Sequence, residues 1–129
     1  MTRNEILIIT NNPMVKNISD VKIAPVGNSN KNAVYYEVLN YLAQGHPLLS
    51  HPLAGSVKPN QNPYRSIIVG KEAGEFRQQD YQTMESCLLQ VEKMSTEDYL
   101  IQQNEWTDDL QMMDQELLIM ALNSLCESR

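Results

Sequence analysis

A short apolar run near the N-terminus sets the strongest limit on the fold. The run Glu5–Thr10 is continuous in β-branched and aliphatic residues and ends at the turn-forming segment Asn11–Pro13. A strand without alternating polar positions is typical of one that is buried on both faces. Both faces must then be covered by other elements, so the sequence predicts a central strand in a layered α/β fold.

Two further strands are expected in the first half of the chain. Residues 21–26 read as a strand that Pro25 places at an edge, and residues 66–70 are β-branched and end at a glycine. Residues 46–64 contain four of the six prolines, so only a two- or three-residue strand at 48–50 fits there. We therefore expect a small, mostly parallel sheet of three to five strands.

Helices alternate with these strands and dominate residues 72–129. Apolar spacing predicts a helix ending near Gly45, a second over 79–94 and a third that begins at Thr107, the last two forming a C-terminal helical pair. The third helix is apolar over a wide arc, so it is either deeply buried or shared with a second copy in a homodimer. Its apolar stripe contains Leu110, Met113, Leu117, Met120 and Leu125, widened by Leu118, Ala121 and Leu122.

Composition and charge place the chain among ordinary globular proteins. With 129 residues, 42% of them hydrophobic, one α/β domain spanning 1–129 is expected. No apolar run is long enough to span a membrane and no leader segment is recognisable, so we expect a soluble cytoplasmic protein. Residues 1–71 carry a net charge of +4 and residues 72–129 a net charge of −10. The acidic total and the few, scattered cations argue against nucleic-acid binding.

The proline-rich segment contains the first candidate site. His51, Gly55, Ser56 and Lys58 lie close together in sequence, between prolines that restrict the backbone. An imidazole, a hydroxyl and an ammonium can donate hydrogen bonds to an anion, and Gly55 permits close approach of a ligand to the backbone. A surface loop without a ligand is the alternative. The segment 46–60 has no carboxylate beside His46 and His51, and the two cysteines are far apart, so we predict no metal and no cofactor.

The second candidate site is the turn Asn11–Pro13. Side chains that follow a strand of an open α/β sheet lie where such sheets bind ligands, so Asn11 and Asn12 are candidate ligand-binding residues. The alternative is that both asparagines only form the turn and cap the short helix after it.

Several of these residues resemble the GrdX family. The likeness is carried by Ile8–Lys16, Gly45-His46, Leu49–Asn60, Pro63-Tyr64, Trp106 and Asp109–Asp114. The resemblance implies an accessory protein encoded beside the glycine, sarcosine and betaine reductases of amino-acid-fermenting anaerobes. It marks both candidate segments and implies no mechanism.

Three hypotheses follow. The first is an accessory or regulatory protein that binds an anionic small metabolite, or subunits of the glycine reductase complex, through the two candidate segments. The second is a small enzyme in which His51 acts as a general base and Lys58 holds a phosphate or carboxylate, with an acyl phosphate as the first substrate to test. The third is a structural interaction protein whose acidic helices bind a basic subunit or a second copy.

Overall fold

The fold was analysed in a computed structural model of the chain, which describes residues 2–18, 20–27, 31–50, 63–94 and 107–126. The strands are β1 (Ile6–Thr10), β2 (Lys22–Pro25) and β3 (Ser66–Gly70). The helices are α1 (Lys31–Ala43), α2 (Gln78–Met94) and α3 (Thr107–Cys126), with short 3₁₀ helices at Arg3–Glu5 and Pro13–Asn17. The α/β prediction is confirmed, as are the three strands and the helices expected after them.

The sheet has the order β2-β1-β3 and is mixed, so the prediction of a mostly parallel sheet is wrong. Strand β1 pairs with β2 in parallel and with β3 in antiparallel orientation, Ile8 lying opposite both Ile23 and Ile68. The chain leaves α1 and reaches the sheet first at Leu48, which forms a single antiparallel bridge with Val69. Strand β3 then returns beside this segment, and that return reverses its direction relative to β1.

Strand β1 is buried at all five positions, as the continuous apolar run predicted. One face of the sheet packs against α1 and α2, and the opposite face packs against α3 and the 3₁₀ helix Pro13–Asn17. The first layer of the core contains Leu7, Ile9, Val34, Val38, Leu42, Ile67, Val69, Met84, Leu88 and Val91. The second contains Ile6, Ile8, Val15, Ile68, Leu118 and Leu122. The result is a sheet between two helical layers.

The end of α1 is fixed by Gly45. Its φ of 104° lies in the left-handed region, and its N–H donates to Leu42 O while the N–H of His46 donates to Tyr41 O. This pair of bonds is the Schellman arrangement that closes many helices. A Cβ at Gly45 would collide with the backbone of Gly74, so both the backbone conformation and the available space require glycine there.

Helix α3 faces the sheet with only part of its wide apolar stripe. Leu118, Leu122 and Asp114 are buried, whereas Met113 and Met120 are 54% and 66% exposed. The stripe is wider than the face that meets the sheet, so part of it is left exposed, and spacing alone did not show which part is buried. None of the helices in the described part of the chain combines the length and the apolar character needed to cross a bilayer.

Candidate functional site

The turn after β1 lies at a sheet edge where several elements meet. Thr10 and Pro25 end the parallel strands β1 and β2 there, and Ser66 opposite Thr10 begins β3. The first turns of α3 also reach this edge, since Gln111 and Asp114 contact Asn12. We refer to it as the polar edge, after the hydrogen-bonded side chains it gathers: Thr10, Asn11, Asn12, Tyr35, Tyr64, Arg65, Ser66, Gln111 and Asp114.

Asn11 joins the turn to the residues that precede β3. Its Nδ2 donates to Pro63 O at 3.0 Å, and its Oδ1 accepts from the N–H of Arg65 at 2.9 Å. The side chain is buried, so these bonds are shielded from competing water. Asn11 therefore continues the pairing of β1 and β3 beyond the last strand residue.

Asn12 has a different set of partners. Its Oδ1 accepts from the N–H of Met14 at 3.0 Å, which caps the 3₁₀ helix after the turn. Its Nδ2 donates to Gln111 O at 2.8 Å and to Asp114 Oδ2 at 2.9 Å. The turn-and-cap alternative thus describes Asn12 correctly, and Asn12 also binds α3 to the sheet. A ligand contact from Asn11 or Asn12 stays a prediction.

Asp114 is the carboxylate at the centre of the polar edge. Its Oδ2 accepts from Ser66 Oγ at 2.6 Å as well as from Asn12, and Ser66 Oγ lies 2.8 Å from Thr10 Oγ1. Burial raises the pKa of Asp114, and the bonds from Ser66 and Asn12 and the charge of Arg65 oppose that rise. A buried carboxylate with these donors is held in one orientation.

Arg65 extends the network across the sheet to α1. Its Nε donates to Tyr35 Oη at 3.1 Å and its Nη1 to Tyr64 O at 3.1 Å, and the residue is 5% exposed. Burial raises the pKa of Tyr35, against the lowering influence of Arg65. Tyr64 Oη in turn accepts from Gln111 Nε2 at 2.9 Å. Polar contacts therefore link α1, β3 and α3 at one edge.

Four residues of the polar edge, Asp114, Arg65, Tyr35 and Ser66, were not among the candidate residues predicted from the sequence. Asp114 stands four residues before Leu118, and so in line with the buried apolar residues Leu118 and Leu122 of α3, and that pattern was the available signal. The partners of Asp114 are 102 and 48 residues away in sequence, so spacing could not reveal them.

The second candidate segment is seen only through its flanks. His51, Gly55, Ser56 and Lys58 lie outside the described residues. Before the segment, Ser50 Oγ accepts from the N–H of Ile68 at 3.0 Å. After it, Pro63 is held by Asn11. The flanks therefore attach the segment to β3 on one side and to the Asn11–Pro13 turn on the other.

His46 belongs to a different part of the molecule. Its Nδ1 lies 2.8 Å from Gly70 O. Gly70 ends β3, whereas Ser66 at the polar edge begins it. The His46 ring packs edge-on against Tyr41. Within the described ranges, no three His, Cys, Asp or Glu side chains are placed to hold a metal ion. Cys87 and Cys126 are free thiols, and burial raises the pKa of Cys87, which favours the unreactive protonated form.

Comparison with known proteins gives one match. A family model described as GrdX-like protein matches residues 7–123, which include the polar edge and both candidate segments. No curated protein and no solved structure matches the chain. Because the family model covers most of its length, the chain belongs to the GrdX-like protein family.

Proposed function

We propose that this protein is an accessory or regulatory protein of glycine-reductase-type amino-acid fermentation. In this proposal, Asn11–Pro13 and His51–Lys58 together bind an anionic small metabolite or a partner from the reductase system. Membership in the GrdX-like family supports the setting. The observation that carries the binding site is the hydrogen bond from Asn11 to Pro63, which joins the turn to the chain that follows the proline-rich segment.

The residue types of the two segments favour an anion. Lys58 supplies a full positive charge, while His51 and Ser56 supply hydrogen-bond donors. The buried contacts of Asn11 and Asn12 hold the turn in place before any ligand arrives. A site whose scaffold is already ordered loses less conformational entropy on binding. In this proposal the asparagines mainly position the site, and the cationic segment makes most of the contact with the anion.

The experiment is a calorimetric titration of the purified full chain with acetyl phosphate and, in a separate run, with inorganic phosphate. We expect Lys58→Ala to weaken binding at least about tenfold, the loss typical of a charge-assisted hydrogen bond, and His51→Ala to weaken it to a smaller extent. Lys71→Ala is the matched control, because Lys71 is exposed and follows the end of β3 remote from the polar edge.

Equal binding by wild type and Lys58→Ala would refute the anion site. The same samples should be assayed for phosphate release, since turnover of acetyl phosphate would favour the enzymatic hypothesis instead. In cells, the paired variants Lys58→Ala and His51→Ala should impair growth that depends on the reductase. If both variants left reductase-dependent growth and anion binding unchanged, the proposal would be wrong.

A second candidate function is protein interaction through α3. Met112, Met113, Ile119 and Met120 are between 37% and 66% exposed along its outer face, and methionine side chains adapt readily to a partner. This face supports either a homodimer or binding to a basic reductase subunit. Light scattering on the protein alone and with the reductase subunits separates the two. Replacing Met113 and Met120 by serine should abolish either association, and persistence of the complex would exclude α3 as the interface.

A further inference from the structure

A groove runs between the outer faces of α1 and α2, on the side of the sheet opposite α3. It has a volume of about 530 Å³. Its lining residues are Tyr36, Leu39, Gln82, Glu85, Ser86, Leu88, Leu89 and Glu92. None of these residues takes part in the polar edge, so the groove is independent of the function proposed above.

The apolar part of the groove is shaped for side chains of a docked segment. Leu88 is buried and Leu39 half-buried, whereas Tyr36 and Leu89 are 53% and 60% exposed. Pockets for small molecules usually enclose most of the ligand surface. A groove whose apolar walls are this open cannot do so, but a partner helix laid along it would cover Tyr36 and Leu89 together.

The charge of the groove has one sign. Glu85 and Glu92 stand two helical turns apart on α2, with Leu89 between them, and the described lining residues include no lysine or arginine. Tyr36 Oη donates to Glu92 Oε2 at 2.7 Å from the opposite wall. The hydrogen bond and the charge of Glu92 raise the pKa of Tyr36, so its hydroxyl stays a neutral donor. The groove therefore presents two carboxylates around an apolar centre.

We propose that this groove docks a basic amphipathic helical segment of a partner protein. An apolar side chain of the segment lies between Tyr36 and Leu89, and lysine or arginine residues before and after it pair with Glu85 and Glu92. Opposite charges at the two ends fix the register of the segment, and the apolar contact between them supplies most of the affinity.

A second copy of the chain is a poorer occupant. Apart from the groove itself, the exposed apolar helix face among its described residues is that of α3, where the exposed charged residues with described side chains are Asp108, Asp109 and Glu116. Docking that face into the groove would bring carboxylates against Glu85 and Glu92. Like charges in close contact destabilise an interface, so charge complementarity favours a basic partner.

The test uses a fluorescent amphipathic model peptide built from leucine and lysine, with a matched peptide in which glutamate replaces lysine. Anisotropy should show saturable, salt-sensitive binding of the lysine peptide to the full chain and none of the glutamate peptide. The double variant Glu85→Gln with Glu92→Gln should weaken binding about tenfold, as expected for two exposed ion pairs. Leu89→Ser should weaken binding by a similar factor through loss of apolar contact.

The control is the double variant Glu72→Gln with Glu75→Gln, which removes the same charge from exposed residues outside the groove. It should bind within about twofold of wild type. All the substituted residues are exposed, so melting temperatures should stay unchanged and confirm that each variant folds.

Three results would overturn the proposal. The first is absence of binding by the lysine peptide. The second is equal weakening by the groove and control double variants, which would mean that the peptide responds only to net charge. The third is self-association of the wild type, measured by sedimentation and abolished by Leu89→Ser, which would assign the groove to a second copy.

Discussion

Replacing Asp114 by alanine should lower the free energy of unfolding by about 2 kcal/mol at neutral pH. The substitution leaves one N–H of Asn12 facing a space without an acceptor, while Ser66 can still bond Thr10. One buried donor without a partner costs about 1 to 3 kcal/mol. The loss corresponds to a fall of about 8 °C in melting temperature for a domain of this size.

The isosteric change Asp114→Asn tests the charge of the same group. The pKa of Asp114 in the folded protein is raised above its ordinary 3.8. At pH values between 3.8 and the folded pKa, the folded state therefore binds more protons than the unfolded state. The stability that the protonated Asp114 carboxyl contributes is fully present below pH 3.8 and is lost as pH rises through the folded pKa of Asp114. The advantage of wild type over Asp114→Asn should therefore shrink as pH rises from 3.8 through the folded pKa of Asp114.

The assay is urea unfolding followed by circular dichroism across that pH range, for wild type, Asp114→Asn and the control Glu116→Gln. Glu116 is exposed on the same helix, so its substitution should give a difference from wild type that hardly varies with pH. A wild-type advantage over Asp114→Asn that grows with pH would refute the reasoning, because it would mean that the folded state stabilises the ionised carboxylate.

Three further substitutions test the scaffold by thermal or urea unfolding. Gly45→Ala should lower the free energy of unfolding by at least about 1 kcal/mol, because a Cβ would collide with Gly74 and the positive φ disfavours alanine. An unchanged melting temperature would contradict the Schellman geometry. Leu122→Ala should lower the free energy of unfolding by about 2 to 5 kcal/mol, because the side chain is fully buried between α3 and the sheet. A loss below about 1 kcal/mol would contradict the packing of α3 on the sheet. Asn11→Ala should lower the free energy of unfolding by about 2 kcal/mol, because it removes the two buried hydrogen bonds of the Asn11 side chain with Pro63 and Arg65. Asn40→Ala, at an exposed position, should lower it by less than about 0.5 kcal/mol, and equal losses would contradict the linking role of Asn11.

The sequence was sufficient to locate the helices and strands, because the hydrophobic period and the turn residues that define them are read from neighbouring positions in the chain. The run Glu5–Thr10, the cap at Gly45 and the start of α3 at Thr107 all follow from residues within a few positions. Strand direction is not local: nothing within Ser66–Gly70 distinguishes a parallel from an antiparallel neighbour, and only the observed pairing with β1 shows it.

The candidate site was predictable only in part for the same reason. Asn11 and Asn12 were selected from their place after a strand, and they do lie at the polar edge. Asp114 and Arg65 were missed because their importance depends on contacts with residues far away in sequence. Spacing left open which part of the wide apolar stripe of α3 is buried, because only packing on the sheet selects Leu118 and Leu122 over Met113.

The position of α3 has a consequence for synthesis of the protein. Ile6, Ile8 and Ile68 leave the ribosome long before Leu118 and Leu122, which cover them, and the Asn12 side chain meets Gln111 across a separation of 99 residues. Until α3 emerges, one face of the sheet is covered only in part, by Val15 and its neighbours, and the rest of its apolar surface is open to aggregation. Completion of this face of the fold therefore waits until α3 has been synthesised, and a nascent chain that lacks α3 leaves Ile6, Ile8 and Ile68 without their cover from Leu118 and Leu122.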